Sequence, residues 1–170
     1  PAPVTALRQL ALLSENLPPA TTETEAGDHG EVFTREWVVE LILDLCGYTE
    51  DRDLAAMVAV EPACGSGAFL LPMVRRLAAS ASRHGRPLNQ AVRAIHAVDL
   101  LPANVAASRD AVATELTQVG MVREEASALA EAWVSRDDFL LRPPDDESVD
   151  FVLGNPPYIR LEAVPRSRSE

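Results

Sequence analysis

Apolar and polar positions alternate along the chain in two periods, which predict strands that alternate with helices. Apolar residues spaced three or four apart predict helices, whereas short uninterrupted apolar runs predict buried strands. The predicted helices cover Val4–Leu17, Thr34–Gly47, Ala68–Ala81, Pro102–Val119 and Val122–Glu131, and the predicted strands cover Ala55–Val60, Ala94–Val98, Trp133–Val134 and Val149–Leu153. This alternation is typical of an α/β fold with an open, doubly wound, mostly parallel sheet.

The first part of the chain predicts two segments of different character. Residues 18–30 are rich in Pro, Thr, Glu and Gly, which predicts a linker and separates an N-terminal helix-and-linker region, residues 1–29, from a main domain, residues 30–170. Thr34 is predicted to cap the next helix and Gly47 to end it. The apolar face of this helix is predicted to contain Trp37, Val38, Leu41, Ile42 and Leu45.

Composition narrows the class of protein. The chain has 170 residues and 47% hydrophobic content, which is enough for one globular domain with a core. It carries 26 acidic and 15 basic residues, which gives a formal charge of −11. This charge makes it unfavourable for the chain to bind nucleic acid by itself. No apolar stretch of about 18 residues and no signal-peptide pattern is present, so we expect a cytoplasmic protein with no membrane partner.

Metal and disulfide chemistry are disfavoured by the same counts. Cys46 and Cys64 are too few for a disulfide framework or a four-ligand zinc site. His29, His84 and His96 share no spacing typical of metal ligands. We therefore expect no metal site.

Polar residues follow all four predicted strands at the point where each strand ends. They are Glu61, Asp99, Asp138 and Asn155. In open α/β sheets, ligands bind outside the carboxyl ends of the strands. These side chains are therefore predicted to share one ligand site.

A glycine turn follows the first predicted strand and opens a helix. Gly65 and Gly67 would let a ligand approach the backbone closely. Leu70 occupies the place of the third glycine of a dinucleotide fingerprint, and the Lys of a P-loop is absent. The turn therefore favours a small ligand with an adenosine and a short polar tail, although a purely structural turn would have the same sequence.

Two further carboxylates suit the same ligand. Asp99 could accept both hydroxyls of a ribose, or it could simply lie at the start of the following helix. Asp138 could accept the amine of an adenine while Phe139 stacks on the ring, although a surface Asp and a core Phe are the alternative.

The segment Asn155-Pro-Pro-Tyr158 is the most specific signal. Two prolines end a buried strand abruptly because neither can donate a hydrogen bond to the sheet. The turn would then present the Asn155 amide and rigid backbone carbonyls beside an aromatic ring. Such a set would hold a planar group that bears an NH2, and a plain strand stop is the alternative.

Together these motifs resemble those of S-adenosylmethionine-dependent DNA methyltransferases. Glu61-Pro-Ala-Cys-Gly-Ser-Gly-Ala-Phe-Leu70 resembles their methyl-donor motif, and Asn155-Pro-Pro-Tyr158 resembles the catalytic motif of the amino-methylating branch. Gly30-Glu-Val-Phe-Thr34 resembles the N-terminal cofactor motif, and Asp138-Phe-Leu140 resembles the adenine-binding segment. The order of the motifs resembles the gamma class of adenine-N6 enzymes, which are TaqI-like and of the restriction-modification type. The resemblance covers residues 30–160.

The resemblance implies a Rossmann-like, class I methyltransferase fold and a role for each site residue. Thr34 would contact the methionine carboxylate of S-adenosyl-L-methionine, Asp99 the ribose hydroxyls, and Asp138 and Phe139 the adenine. The methionine and ribose would be surrounded by Glu61, Ala63, Gly65 and Gly67. Asn155 and Pro156 would accept the hydrogens of the target amine, and Tyr158 would stack on the flipped base. The family usually has Pro at the position of Arg35, so this loop departs from the family's pattern.

The same resemblance implies that further parts of the catalytic protein lie outside this chain. The family's sheet continues beyond the catalytic motif and a DNA-reading domain follows it, so residues 30–170 would be a partial catalytic domain that ends after the fourth strand. Double-stranded DNA would be bound through regions missing here, and a restriction or specificity subunit or a fused nuclease is a possible partner. Alone, this segment would be inactive.

Two other functions stay open at this point. Methyltransferases that act on protein glutamine or RNA guanine carry similar catalytic motifs, although the sequence ahead of the glycines and Thr34 favour DNA adenine. A non-catalytic cofactor-binding module is the alternative from a different class.

Overall fold

The computed structural model describes residues 34–141 and 148–155. Within these residues, a four-stranded parallel sheet packs against helices. The helices are α1 Glu36–Cys46, α2 Leu70–Arg83, α3 Pro102–Gln118 and α4 Arg123–Trp133, and the strands are β1 Ala59–Glu61, β2 Ile95–Asp99, β3 Val134–Arg136 and β4 Phe151–Val152. The prediction of a mostly parallel, Rossmann-like α/β sheet is confirmed.

The sheet has the order β3-β2-β1-β4, and every neighbouring pair is parallel. The chain moves outward from β1 to β2 and β3, and then returns to place β4 on the other side of β1. The order therefore reverses between β1 and β4. In open α/β sheets such a reversal opens a crevice at the carboxyl ends of the two strands.

One face of the sheet forms the main core. Ala59 pairs with Ile95 and with Phe151, and Ala97 pairs with Val134. All five are buried and pack with apolar residues of the four helices. Neighbouring residues in register point to the same side of a sheet, so Glu61, which pairs with Ala97, lies on this buried face at the end of β1.

The first strand begins later than predicted. Leu54–Ala56 form a 3₁₀ turn, so the strand covers Ala59–Glu61 instead of Ala55–Val60. Asp150 fixes the start of the pairing, because its carboxylate accepts the Val58 N–H at 2.8 Å and its own N–H donates to the Val58 carbonyl at 2.9 Å. The apolar run Ala55–Val60 therefore contains the end of a turn as well as the start of a strand.

The first described helix also differs from its prediction in its cap and in its buried face. Arg35, not Thr34, precedes the helix, and no side chain caps it. Val39 and Leu43 are fully buried, whereas Trp37 and Leu45 are 53% and 79% exposed. Gly47 ends the helix in the left-handed conformation, as predicted. The predicted helix over residues 4–17 lies outside the described residues.

Candidate functional site

The crevice at the reversal between β1 and β4 contains a cleft of about 180 Å³. Its walls are the last residue of β4 and the segments that follow the two strands: Val152, Pro62, Ala63, Gly154 and Asn155. The predicted residues Ala63 and Asn155 are thus brought together. The segment after β4 packs closely on the end of β1, because a Cβ placed at Gly154 would be in van der Waals contact with the Glu61 Cγ at 3.5 Å and the Pro62 Cδ at 3.6 Å.

The glycine turn lies beside this cleft and is anchored through its backbone. The Cys64 N–H donates to the Val98 carbonyl at 2.9 Å, and the Gly67 N–H donates to the Cys64 carbonyl at 2.8 Å. Gly67 has a φ of 96°, which L side chains rarely adopt. Burial raises the pKa of the Cys64 thiol, so this cysteine stays protonated and is a poor nucleophile.

Asp99 connects the glycine turn to the start of α3. Its Oδ2 accepts the Gly65 N–H at 2.9 Å, and its Oδ1 accepts the Leu101 N–H at 2.8 Å and the Asn104 amide at 3.2 Å. A carboxylate offers about four acceptor sites. One site therefore stays open on Oδ2 for a ligand hydroxyl, and a second hydroxyl would have to replace the Asn104 amide.

Glu61 carries a buried carboxyl group with one oxygen that lacks a hydrogen-bond partner among the described residues. Its side chain is 2% exposed, and within the described part of the chain its Oε2 has no hydrogen-bond partner. Burial, and then the nearby negative charge of Asp99, raise the pKa of Glu61 to about 8. A buried acceptor without a partner is costly, so this oxygen suits a ligand that supplies a cationic donor.

Thr34 and Asn155 meet although 121 positions separate them in the sequence. The Asn155 Nδ2 donates to the Thr34 Oγ1 at 3.1 Å, and both residues are partly buried. The side chain that was predicted to cap α1 thus contacts the end of β4 instead. This contact joins the N-terminal motif to the catalytic motif.

Asp138 and Phe139 lie at the same edge, after β3. The Asp137 N–H donates to the Asp99 carbonyl at 3.3 Å, which holds this segment beside the end of β2. The Asp138 Oδ1 accepts the Leu140 N–H at 3.1 Å, and Phe139 is half-buried. Their contact with an adenine stays a prediction. Pro156 and Tyr158 lie outside the described residues.

Two residues of α3 support the site and were not predicted. Ser108 is fully buried and donates to the Gly65 carbonyl at 2.9 Å, while Asn104 donates to Asp99 as above. They are four positions apart, so they lie on one face of the helix. The sequence signal for this role was the pair Asn104 and Ser108 itself: two polar residues four positions apart on the helix that follows Asp99.

Neither a metal centre nor a membrane span is found in the described ranges. Over residues 34–141 and 148–155, no three His, Cys, Asp or Glu side chains group as metal ligands would. In the same ranges no helix is long and apolar enough to cross a bilayer.

A comparison with known families and proteins identifies the family. The family model described as N-6 DNA Methylase matches residues 14–162. The chain belongs to the N-6 DNA methylase family. Membership of this family implies, in general, that S-adenosylmethionine is the methyl donor. The sequence resemblance to DNA methyltransferases is confirmed.

Three curated relatives are type II methyltransferases. The chain is 42% identical over 142 residues to M.XhoI of Xanthomonas vasicola, 45% over 148 residues to M.PaeR7I of Pseudomonas aeruginosa, and 36% over 143 residues to M.BstVI of Geobacillus stearothermophilus. These matches cover 81%, 84% and 80% of this chain but 26%, 25% and 26% of the relatives. The chain therefore spans about a quarter of their length. No solved structure matches the chain.

Proposed function

We propose that this chain is the cofactor-binding and catalytic part of a longer DNA methyltransferase of the restriction-modification type. That protein would transfer a methyl group from S-adenosyl-L-methionine to the N6 amine of adenine in double-stranded DNA. Type II relatives over four fifths of the chain support the restriction-modification context. The observation that carries the proposal is the buried Glu61 Oε2, which has no hydrogen-bond partner among the described residues and lies against the segment that presents Asn155.

The residues at the crevice fit this cofactor. S-Adenosyl-L-methionine has a cationic ammonium, ribose hydroxyls and an adenine. Glu61 Oε2 would accept the ammonium, Asp99 Oδ2 would accept a ribose hydroxyl, and Asp138 with Phe139 would hold the adenine. Thr34 would contact the carboxylate, and Ala63, Gly65 and Gly67 would surround the methionine and ribose. When bound, the cofactor supplies an electrophilic methyl on a positively charged sulfur.

Asn155 would activate the target amine. The amine of adenine is a weak nucleophile because its lone pair is delocalised into the ring. The Asn155 Oδ1 and the Pro156 carbonyl would accept its two hydrogens, which favours a tetrahedral nitrogen with an available lone pair. Acceptors fixed in advance act mainly on the transition state. Tyr158 would stack on the base after it leaves the duplex, which offsets part of the cost of flipping.

The gamma class is the subgroup that we propose. The cofactor motif at Thr34 precedes the donor motif at Glu61, and the catalytic motif at Asn155 follows both. The hydrogen bond between Thr34 and Asn155 supports a site that the N-terminal motif and the catalytic motif share.

Asp99→Ala in the full-length protein is expected to weaken S-adenosylmethionine binding by about 1–3 kcal/mol, because a charge-assisted hydrogen bond to the ribose is lost. Titration calorimetry measures the change. Asp110→Ala removes an exposed aspartate from α3, the helix that follows Asp99, and should leave the affinity unchanged. Equal affinity in the two variants would remove Asp99 from the cofactor site.

Residues 1–170 alone are expected not to methylate duplex DNA. Their net charge of −11 opposes the capture of a phosphate backbone. A filter assay with tritiated S-adenosylmethionine and plasmid DNA should give background counts for this segment and incorporation for the full-length protein. Rapid incorporation of tritium into the DNA by residues 1–170 would show that they bind and methylate DNA without further domains.

A further inference from the structure

We propose that the Thr34 hydroxyl is a positioning group that sets the orientation of the Asn155 amide. By accepting the Asn155 N–H, it leaves the Oδ1 free to face the target amine. The inference rests on the proposed function and extends it, because Thr34 then serves the methyl-transfer step as well as cofactor binding.

The hydrogen-bonding capacity of the two groups supports this orientation. A side-chain amide has a donor end and an acceptor end, and the target amine is itself a donor. The Asn155 Nδ2 lies 3.1 Å from the Thr34 Oγ1. If the amide were reversed, its NH2 would face the hydrogens of the target amine and could accept neither of them. Only the orientation seen in the structure is productive.

The threonine hydroxyl also has a proton of its own to donate. Because its oxygen already accepts from Asn155, the O–H must point to another acceptor. The carboxylate of the cofactor would be such an acceptor. Cofactor binding would then strengthen the acceptor character of the Thr34 oxygen and fix the Asn155 amide before the base arrives.

Thr34 itself is held in place by the way α1 is docked. The Arg35 carbonyl accepts the N–H groups of Val38 and Val39 at 2.9 and 3.2 Å, so the helix starts directly after Thr34. Two arginines of α2 then hold α1: Arg75 pairs with Glu36 in its first turn at 2.8 Å, and Arg76 contacts its second half. The Arg76 guanidinium contacts the Glu40 side chain at 2.5 Å, the Asp44 carboxylate at 2.7 Å and the Tyr48 carbonyl at 2.9 Å. Thr34 therefore lies two positions before a helix that is docked on α2.

The test compares Thr34→Val, which has nearly the same shape but no hydroxyl, with Thr34→Ser, which keeps the hydroxyl. Both are made in the full-length protein, and single-turnover methylation is measured at saturating S-adenosylmethionine and DNA. Thr34→Val should lower the rate about 5- to 10-fold, the effect of one neutral hydrogen bond. Thr34→Ser should stay within about twofold of the wild type, a difference smaller than one hydrogen bond. Thr49→Val, beyond the other end of α1, is the matched control and should not change the rate.

A double mutant separates positioning from cofactor binding. If Thr34 acts through Asn155, adding Thr34→Val to an Asn155→Ala protein should cause no further loss of rate, although it still weakens cofactor binding. A normal rate for Thr34→Val at saturating cofactor, or a full additional loss in the double mutant, would overturn the inference and leave the proposed function intact. A normal rate for Asn155→Ala would instead overturn both.

Discussion

Asn155→Ala, introduced into the full-length protein, is expected to lower kcat for adenine methylation by about 10²–10³-fold, the loss typical of one preorganised acceptor or donor at a reacting centre. On the proposed mechanism, the amide would contribute the acceptor that polarises the target amine as the methyl is transferred. Its position on the cleft wall at the β1–β4 reversal places it at the carboxyl end of the sheet, where such folds bind ligands.

The affinity for S-adenosylmethionine should barely change in this variant, because the interaction is made mainly in the transition state. Calorimetry of cofactor binding and single-turnover methylation, measured on the same preparation, separate the two effects. A variant that loses cofactor affinity and keeps its maximal rate would assign Asn155 to cofactor binding instead of catalysis.

Glu61→Gln is expected to abolish a pH dependence of stability. The pKa of Glu61 in the folded protein is about 8, well above that of an exposed glutamate. The folded state therefore favours the protonated form, so this contribution to stability is complete below about pH 4.5 and is lost as pH rises through about 8. The free energy of unfolding should fall by at most about 5 kcal/mol over this pH range. The glutamine stays neutral and should keep its stability over this range.

Urea denaturation at pH 5 and at pH 9 without cofactor measures the effect. The free energy of unfolding should fall more between these pH values for the wild type than for Glu61→Gln. The exposed Glu124→Gln on α4 should follow the wild type. Parallel curves for all three proteins would show that Glu61 has an ordinary pKa in the folded state. Added S-adenosylmethionine should stabilise the wild type more than Glu61→Gln at pH 7, where its ammonium is charged and favours the ionised form of Glu61.

The sheet and the carboxyl ends of its strands could be predicted from the sequence for a physical reason. Buried parallel strands are continuous apolar runs, so the first polar residue after each run marks its carboxyl end. Parallel pairing then brings Glu61 and Asp99 to one edge, whatever the lengths of the intervening helices. The pairing of Asp99 with the Gly65 N–H follows from the same adjacency.

The orientation of α1 could not be predicted in this way. The helix is apolar on most of its circumference, so its periodicity does not decide which face is buried. Docking on α2 decides instead: Arg76 engages Glu40 and Asp44, and the face with Val39 and Leu43 turns inward. Trp37 and Leu45 are left exposed as a consequence.

The contact between Thr34 and Asn155 lies beyond sequence reasoning for a different reason. Local patterns report neighbours along the chain, and these two residues are 121 positions apart. A threonine ahead of a helix resembles a cap, and only the return of β4 to the side of β1 supplies its actual partner.

The most direct test of the central claim identifies the methylated atom. The full-length protein is incubated with duplex DNA and S-adenosylmethionine that carries a labelled methyl group, and the DNA is digested to nucleosides for mass spectrometry. We expect the label in N6-methyladenine, and its disappearance with Asn155→Ala. Label in a cytosine derivative, in protein or RNA in place of DNA, or in no product at all although the cofactor binds, would contradict it.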